Sequence, residues 1–241
     1  MDDSWAIYID IEGFSALYTK MKGDAAIWGL RKLMIAVHRI GKYVFPEPPE
    51  RLFAYQTGDG FLIVSDFHES NLDRAASIAV VIMKFITSFG IFARATIAEG
   101  GIAGITGCYA KEVLNDSCDG DTSVVSMGRG LMTIFPVMGT ALINSIGLDK
   151  RAPKGPMLIL PATFRERLSS NILSHNIEDT SNIAIDWIHT DGDLINEIKT
   201  KDKLQFPSPN NLESLLKNYI AKHNPPVEWI CSCYYMGVDN T

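Results

Sequence analysis

Asp10, Ile11, Glu12, Gly13, Phe14 and Ser15 run together as DIEGFS, and Asp59 follows 49 residues after Asp10, between Gly58 and Gly60 in the segment TGDGF. Two carboxylates and the backbone carbonyl of Ile11 form an all-oxygen donor set, which suits a hard cation such as Mg²⁺ or Mn²⁺. A pair of such ions held by Asp10 and Asp59 would activate an attacking hydroxyl and neutralise phosphate charge during an in-line displacement. Gly13 lets the backbone turn closely, so the amides around Phe14 and Ser15 can face phosphate oxygens. Each motif alone has a plain structural reading, Asp10 as a cap or turn residue and Asp59 as the second residue of a hairpin turn. Chemistry is indicated by the two together, on elements that can bring them side by side.

Those elements are legible in the pattern. Trp5 to Ile11 is β-rich and reads as a strand in the middle of a sheet, which leaves Asp10 at its end. From Asp24 to Val44 apolar residues recur at helical spacing, and Pro46, Pro48 and Pro49 stop the helix. Arg51–Thr57 and Phe61–Phe67 flank Gly58-Asp59-Gly60 as an antiparallel hairpin with Asp59 at its tip. Ser70-Asn71-Leu72-Asp73 resembles a helix-start box ahead of an apolar stripe that reaches Phe89, and Phe92–Ala98 is a further strand. The order strand, helix, strand, strand, helix, strand predicts an α+β fold of the ferredoxin-like βαββαβ kind, with both aspartates on neighbouring strands.

Beyond Gly101 the pattern predicts a short helix over Cys108–Leu114, a polar loop over Asn115–Asp121 and a helix over Val124–Ile146. Strands are expected at Pro156–Leu160, Ile183–His189 and Val227–Tyr235, and helices near Pro161–Leu168 and Pro209–Lys222. The whole chain, 1–241, reads as one domain with its core at about 5–145 and residues 146–241 as an extension of the same sheet.

With 28 acidic residues against 22 Lys plus Arg, the formal charge is -6, so no electrostatic grip on nucleic acid or an anionic membrane is expected. A polyanionic substrate would need local cations or a metal. The opening MDDSWAIYIDI lacks a secretory pattern and no apolar run approaches a membrane span, which reads as cytoplasmic. Cys108, Cys118, Cys231 and Cys233 lack zinc spacing and are expected as reduced thiols.

DIEGFS and TGDGF resemble the metal-binding signatures of class III adenylate and guanylate cyclases, and RATIAEG (Arg94–Gly100) is similar to the fourth strand of that family; the resemblance covers roughly residues 5 to 145. It implies a class III cyclase catalytic domain with Asp10, Ile11 and Asp59 holding two Mn²⁺ or Mg²⁺ ions, a nucleoside triphosphate substrate, and a homodimer with composite active sites. The family also places an asparagine and, four residues on, a transition-state arginine on the helix after a glycine-rich loop. In GDTSVVSMGRG the arginine would be Arg129, but the asparagine position holds Val125 or Ser126; Ser126 would share a helical face with Arg129.

Period two puts Arg51, Phe53, Tyr55 and Thr57 on one face of their strand. The family's purine enzymes read the base four residues before the hairpin aspartate, with lysine or glutamate, and here that residue is Tyr55. A tyrosine there resembles the pyrimidine cyclases of bacterial Pycsar antiphage systems, which make cyclic UMP or cyclic CMP for a separate effector protein. The expected activity is therefore uridylate cyclase, with cytidylate second; the alternatives are an adenylate or guanylate cyclase, or a catalytically degenerate nucleotide-binding module. Tyr55 also has a plain reading, as cover for a half-buried sheet.

Overall fold

A computed structural model describes residues 3–20, 23–118 and 120–238 of the chain. Strand β1 (Ser4–Ile11) is its axis. Trp5, Ile7, Ile9 and Ile11 enter the main core, while Ala6, Tyr8 and Asp10 share the other face. After a turn at Gly13 come helices α1 (Phe14–Lys20) and α2 (Asp24–Arg39), and α2 widens into a π-helical turn at Ile40–Val44 that the Phe45 N–H closes on the Ile40 carbonyl. The hairpin β2 (Leu52–Thr57) and β3 (Gly60–Ser65) then pairs antiparallel with β1.

Helix α3 (Asp73–Thr87) is buried at every position from Arg74 onward, the polar residues Arg74, Ser77, Lys84 and Thr87 included. Its start departs from the expected box: Leu72 precedes it without a side-chain cap, and the Asp73 carboxylate accepts the Ser169 N–H instead. β4 (Ala93–Gly100) returns beside β1, antiparallel to it. This completes the βαββαβ order, with α2 and α3 on one face of the sheet.

The next segment differs from the sequence expectation. β5 (Ala103–Gly104), a short helix α4 (Lys111–Asn115) and β6 (Ser117–Cys118) lead into β7 (Asp121–Met127) and β8 (Gly130–Thr133), which with β6 make a separate three-stranded sheet. The expected short helix keeps only Lys111–Asn115, and the expected loop contains β6. In place of one helix over 124–146, a hairpin turns at Gly128-Arg129, β9 (Val137–Met138) pairs with β5, and helix α5 (Thr140–Arg151) starts after Gly139. Pro136, which has no N–H to give a helix, and the β-branched pair Val124-Val125 account for the difference. α5 packs on β4 and β1, over the face that carries Asp10.

β10 (Leu158–Pro161) adds to β4 in parallel, followed by β11 (Ser174–Asn176) and β12 (Asn182–Ile185), which gives a seven-stranded sheet in the order β11-β12-β10-β4-β1-β3-β2. Residues 162–167 form 3₁₀ turns where a helix was expected. Helices α6 (Asp193–Asp202) and α7 (Pro209–His223) pack against α3. The strand expected at Val227–Tyr235 is helix α8 (Val227–Ser232) and a 3₁₀ turn at Cys233–Met236. There Trp229 packs against Phe92 and Tyr219, and Cys233, four residues on, lies on the same buried side. No helix among the described residues is long and apolar enough to cross a membrane.

Candidate active site

Asp10 is placed by strand pairing. It lies opposite Gly60 on β3 and opposite Arg94 on β4, at the end of the central strand. The two-residue loop Gly58-Asp59 joins β2 to β3, so Asp59 is the residue next to Asp10's partner. Of these two loop residues only Gly58 has positive φ, at 66°, the pattern of a type II′ turn. Gly60 is required for a different reason. A Cβ there would lie 2.6 Å from the Ile9 carbonyl oxygen and 2.8 Å from the Asp10 Cβ, so any side chain would displace the Asp10 carboxylate.

Phe14 and Ser15 open α1 immediately after this strand end, and Phe14 stacks on Tyr18 with ring centroids 5.9 Å apart. Their amides make no hydrogen bond to backbone outside helices and strands among the described residues, as first-turn amides do not. Tyr55 lies opposite Leu62 and shares a face with Phe53 and Thr57, as the period of two predicts. It packs edge-on against Phe135, with centroids 5.5 Å apart, in the small apolar cluster under α5.

The site carries excess negative charge. Burial, then the charge of Asp149, pushes the Asp10 carboxyl up to about 7; Asp59 and Glu12 add to the rise and Arg94 opposes it. Burial also raises Glu12, against Arg94, Lys154 and the Gly155 N–H. Tyr8, on the same face, is raised by burial and by Asp10. Arg94 is the guanidinium amid these acids: its Nε and a terminal nitrogen reach Asp149 at 2.7 and 3.0 Å, and its other nitrogen lies 3.7 Å from Glu12. Burial works against its charge, but Asp149 and the neighbouring acids hold it protonated.

Asp149, Glu12 and Asp10 all act on one guanidinium, and burial drives Asp10 and Glu12 towards their neutral forms, which a nearby cation would oppose. No three His, Cys, Asp or Glu side chains form a metal-binding group among the described residues. Asp10, Asp59 and the Ile11 carbonyl could hold a cation only with its remaining coordination positions filled by phosphate oxygens and water.

No family model matches the sequence, and no curated protein is similar to it in sequence. In three dimensions the chain is similar to the guanylyl cyclase domain of the RhoGC fusion protein from the aquatic fungus Blastocladiella emersonii, with a TM-score of 0.51 and 12% identity over 76% of this chain and 93% of that one. The fold is that of a class III cyclase catalytic domain. A bacterial light-regulated adenylyl cyclase is also similar, with a TM-score of 0.42 and 11% identity over 76% of this chain and 88% of that one.

Within this class III cyclase fold, two expected residues sit elsewhere than on a common helical face. Ser126 is in β7, and Arg129 is exposed in the turn between β7 and β8, so helical spacing does not relate them. Arg129 is not among the charges that act most strongly on Asp10. The helix that follows the glycine-containing segment is α5, which carries Asn144, with its side-chain amide donating to the Glu99 carbonyl at 2.9 Å. Four residues on is buried Leu148, and the arginine of this helix is Arg151 at its end. Asp149 and the fork it forms with Arg94 were missed by sequence reasoning. The two are 55 residues apart, and the one local signal was an acid beside the buried positions Ala141, Ser145 and Leu148 of α5.

Proposed function

We propose that the chain is a nucleotidyl cyclase that converts a nucleoside triphosphate, UTP first and CTP second, into the 3′,5′-cyclic monophosphate and diphosphate. The observation that supports this reading is that Asp10 ends the central strand opposite Gly60, next to Asp59 in the hairpin loop, where burial and neighbouring acids raise the Asp10 carboxyl. Asp10, Asp59 and the Ile11 carbonyl would hold Mn²⁺ or Mg²⁺, which when bound supply activation of the ribose 3′-hydroxyl and neutralisation of phosphate charge. Gly60 keeps room for Asp10, and Asp149 fixes the direction of Arg94 beside it. The amides of Phe14 and Ser15, at the start of α1, would face the phosphates. Holding the 3′-hydroxyl in line with the α-phosphorus is the main contribution such a scaffold makes.

Tyr55 supports the pyrimidine reading. Its ring stands on the Asp10 face of the sheet beside Phe135, where it would crowd a purine and offer one hydroxyl to a smaller ring. By resemblance to Pycsar enzymes, the product is an antiphage second messenger read by a separate effector protein. Arg129 would complete the site of a second subunit in a homodimer, with Ser126 beside it on the same hairpin.

A purine cyclase is the second reading, favoured by the similarity to a guanylyl cyclase domain. Incubating the purified chain with each of the four ribonucleoside triphosphates and Mn²⁺, with products resolved by mass, separates the readings. Cyclic UMP is the expected product. Cyclic AMP or GMP instead would set the pyrimidine reading aside, and no product from any substrate would leave a nucleotide-binding module. Tyr55→Ala should lower pyrimidine cyclisation without a matching fall in melting temperature; equal loss with a collapsed melt would make Tyr55 a packing residue only.

A further inference from the structure

On the opposite face of the sheet from Asp10, a cavity of about 270 Å³ opens between the end of α2 and edge strand β2. Three local features create it. Leu52 and Ala54 are the residues of β2 that line it, and Ala54 supplies only a methyl group. The end of α2 is widened by its π-helical turn, a distortion concentrated at functional sites. Within that turn Gly41 lines the cavity, and a Cβ on it would meet nothing within 4 Å. The walls run from this exposed mouth to the buried isoleucines 63, 78 and 82.

Lys42 sets the charge at the mouth. Lys42 and His38 are both exposed, neither is ion-paired among the described residues, and no carboxylate lines the cavity. An aliphatic wall with a cationic rim complements an anionic amphiphile. We infer that this cavity binds a saturated medium-chain carboxylate, with the chain among the isoleucines and the carboxylate beside Lys42. A dry apolar cavity of about 150 Å³ takes up benzene, so the larger volume here accommodates a chain of about eight to ten carbons.

The test is titration calorimetry of the full chain with hexanoate, octanoate, decanoate and dodecanoate, beside decanol and decylamine. One saturable site is expected, with affinity rising about fourfold per methylene up to about ten carbons and then levelling off. Decanol and decylamine should bind at least about tenfold more weakly than decanoate, and Lys42→Glu should reverse the order of decanoate and decylamine. Ala54→Trp, at an exposed edge-strand position, should fill the cavity and abolish binding with an unchanged melting temperature. Should that variant fail to fold, Ala54→Leu should weaken dodecanoate more than hexanoate. Absence of saturable heat with decanoate at millimolar concentration, equal binding of the three head groups, or binding indifferent to residue 54 would overturn the inference.

Discussion

Asp10→Asn should make the metal-free protein more stable at pH 8 while it removes catalysis. Burial and the charge of Asp149 raise the Asp10 carboxyl from 3.8 to about 7, so the folded chain keeps a proton that the unfolded chain has already released. The stability linked to that proton is fully present below about pH 3.8 and is lost as pH rises through about 7. At about 1.36 kcal/mol per pH unit of difference, the loss by pH 8 is at most about 4 kcal/mol. Asparagine keeps the shape and has no charge to desolvate. Denaturant unfolding in chelator from pH 4 to pH 8 should therefore show the variant level with its parent at the acid end and about 2–4 kcal/mol ahead at the alkaline end. Mn²⁺ at about a hundred times its dissociation constant should then stabilise the parent by about 2.7 kcal/mol and leave the variant unmoved. A variant less stable than its parent at pH 8, or a difference that does not change with pH, would refute this account of the site.

Gly60→Ala drives a methyl group against the Ile9 carbonyl and the Asp10 Cβ, and should cost about 1–3 kcal/mol in a thermal melt and more than about tenfold in cyclisation. Lys84 is buried, donates to the Thr190 carbonyl at 2.7 Å and is lowered from 10.5 to about 8, chiefly by burial. Its linked stability is fully present above about pH 10.5 and lost as pH falls through about 8, so the parent should gain up to about 3 kcal/mol over that window. Lys84→Met should show no such gain in denaturant unfolding. Asp59→Asn and Arg129→Ala should each be inactive alone, and mixing them should return up to about a quarter of parental activity if sites are shared between exchanging subunits. An inert mixture with demonstrated exchange would remove Arg129 from the partner's site.

The strands that carry Asp10 and Asp59 were legible because their signals are local: a β-rich run ending in an acid, and a glycine-aspartate turn between two apolar runs. The helix over 24–44 was legible by periodicity for the same reason, and the one expected near Pro209–Lys222 is α7. Residues 121–138 were not, since Val124, Val125, Leu131 and Met132 fit either period. At Val227–Tyr235 β-rich composition pointed to a strand, but the packing of Trp229 between aromatic rings decided for a helix. Arg94–Asp149 belongs to neither kind of signal. It exists only once α5 lies on β4.

The burial of α3 on all sides has a consequence for synthesis on the ribosome. Its outer flank is closed by α6 and α7, which follow it by roughly a hundred residues or more in the chain. At about 5–20 residues per second, the nascent chain would display that flank for at least about 5–20 seconds before its cover is made. That interval is when a holdase chaperone has most to bind, and a translational pause placed between codons 90 and 190 should lower soluble yield more than one placed after codon 225.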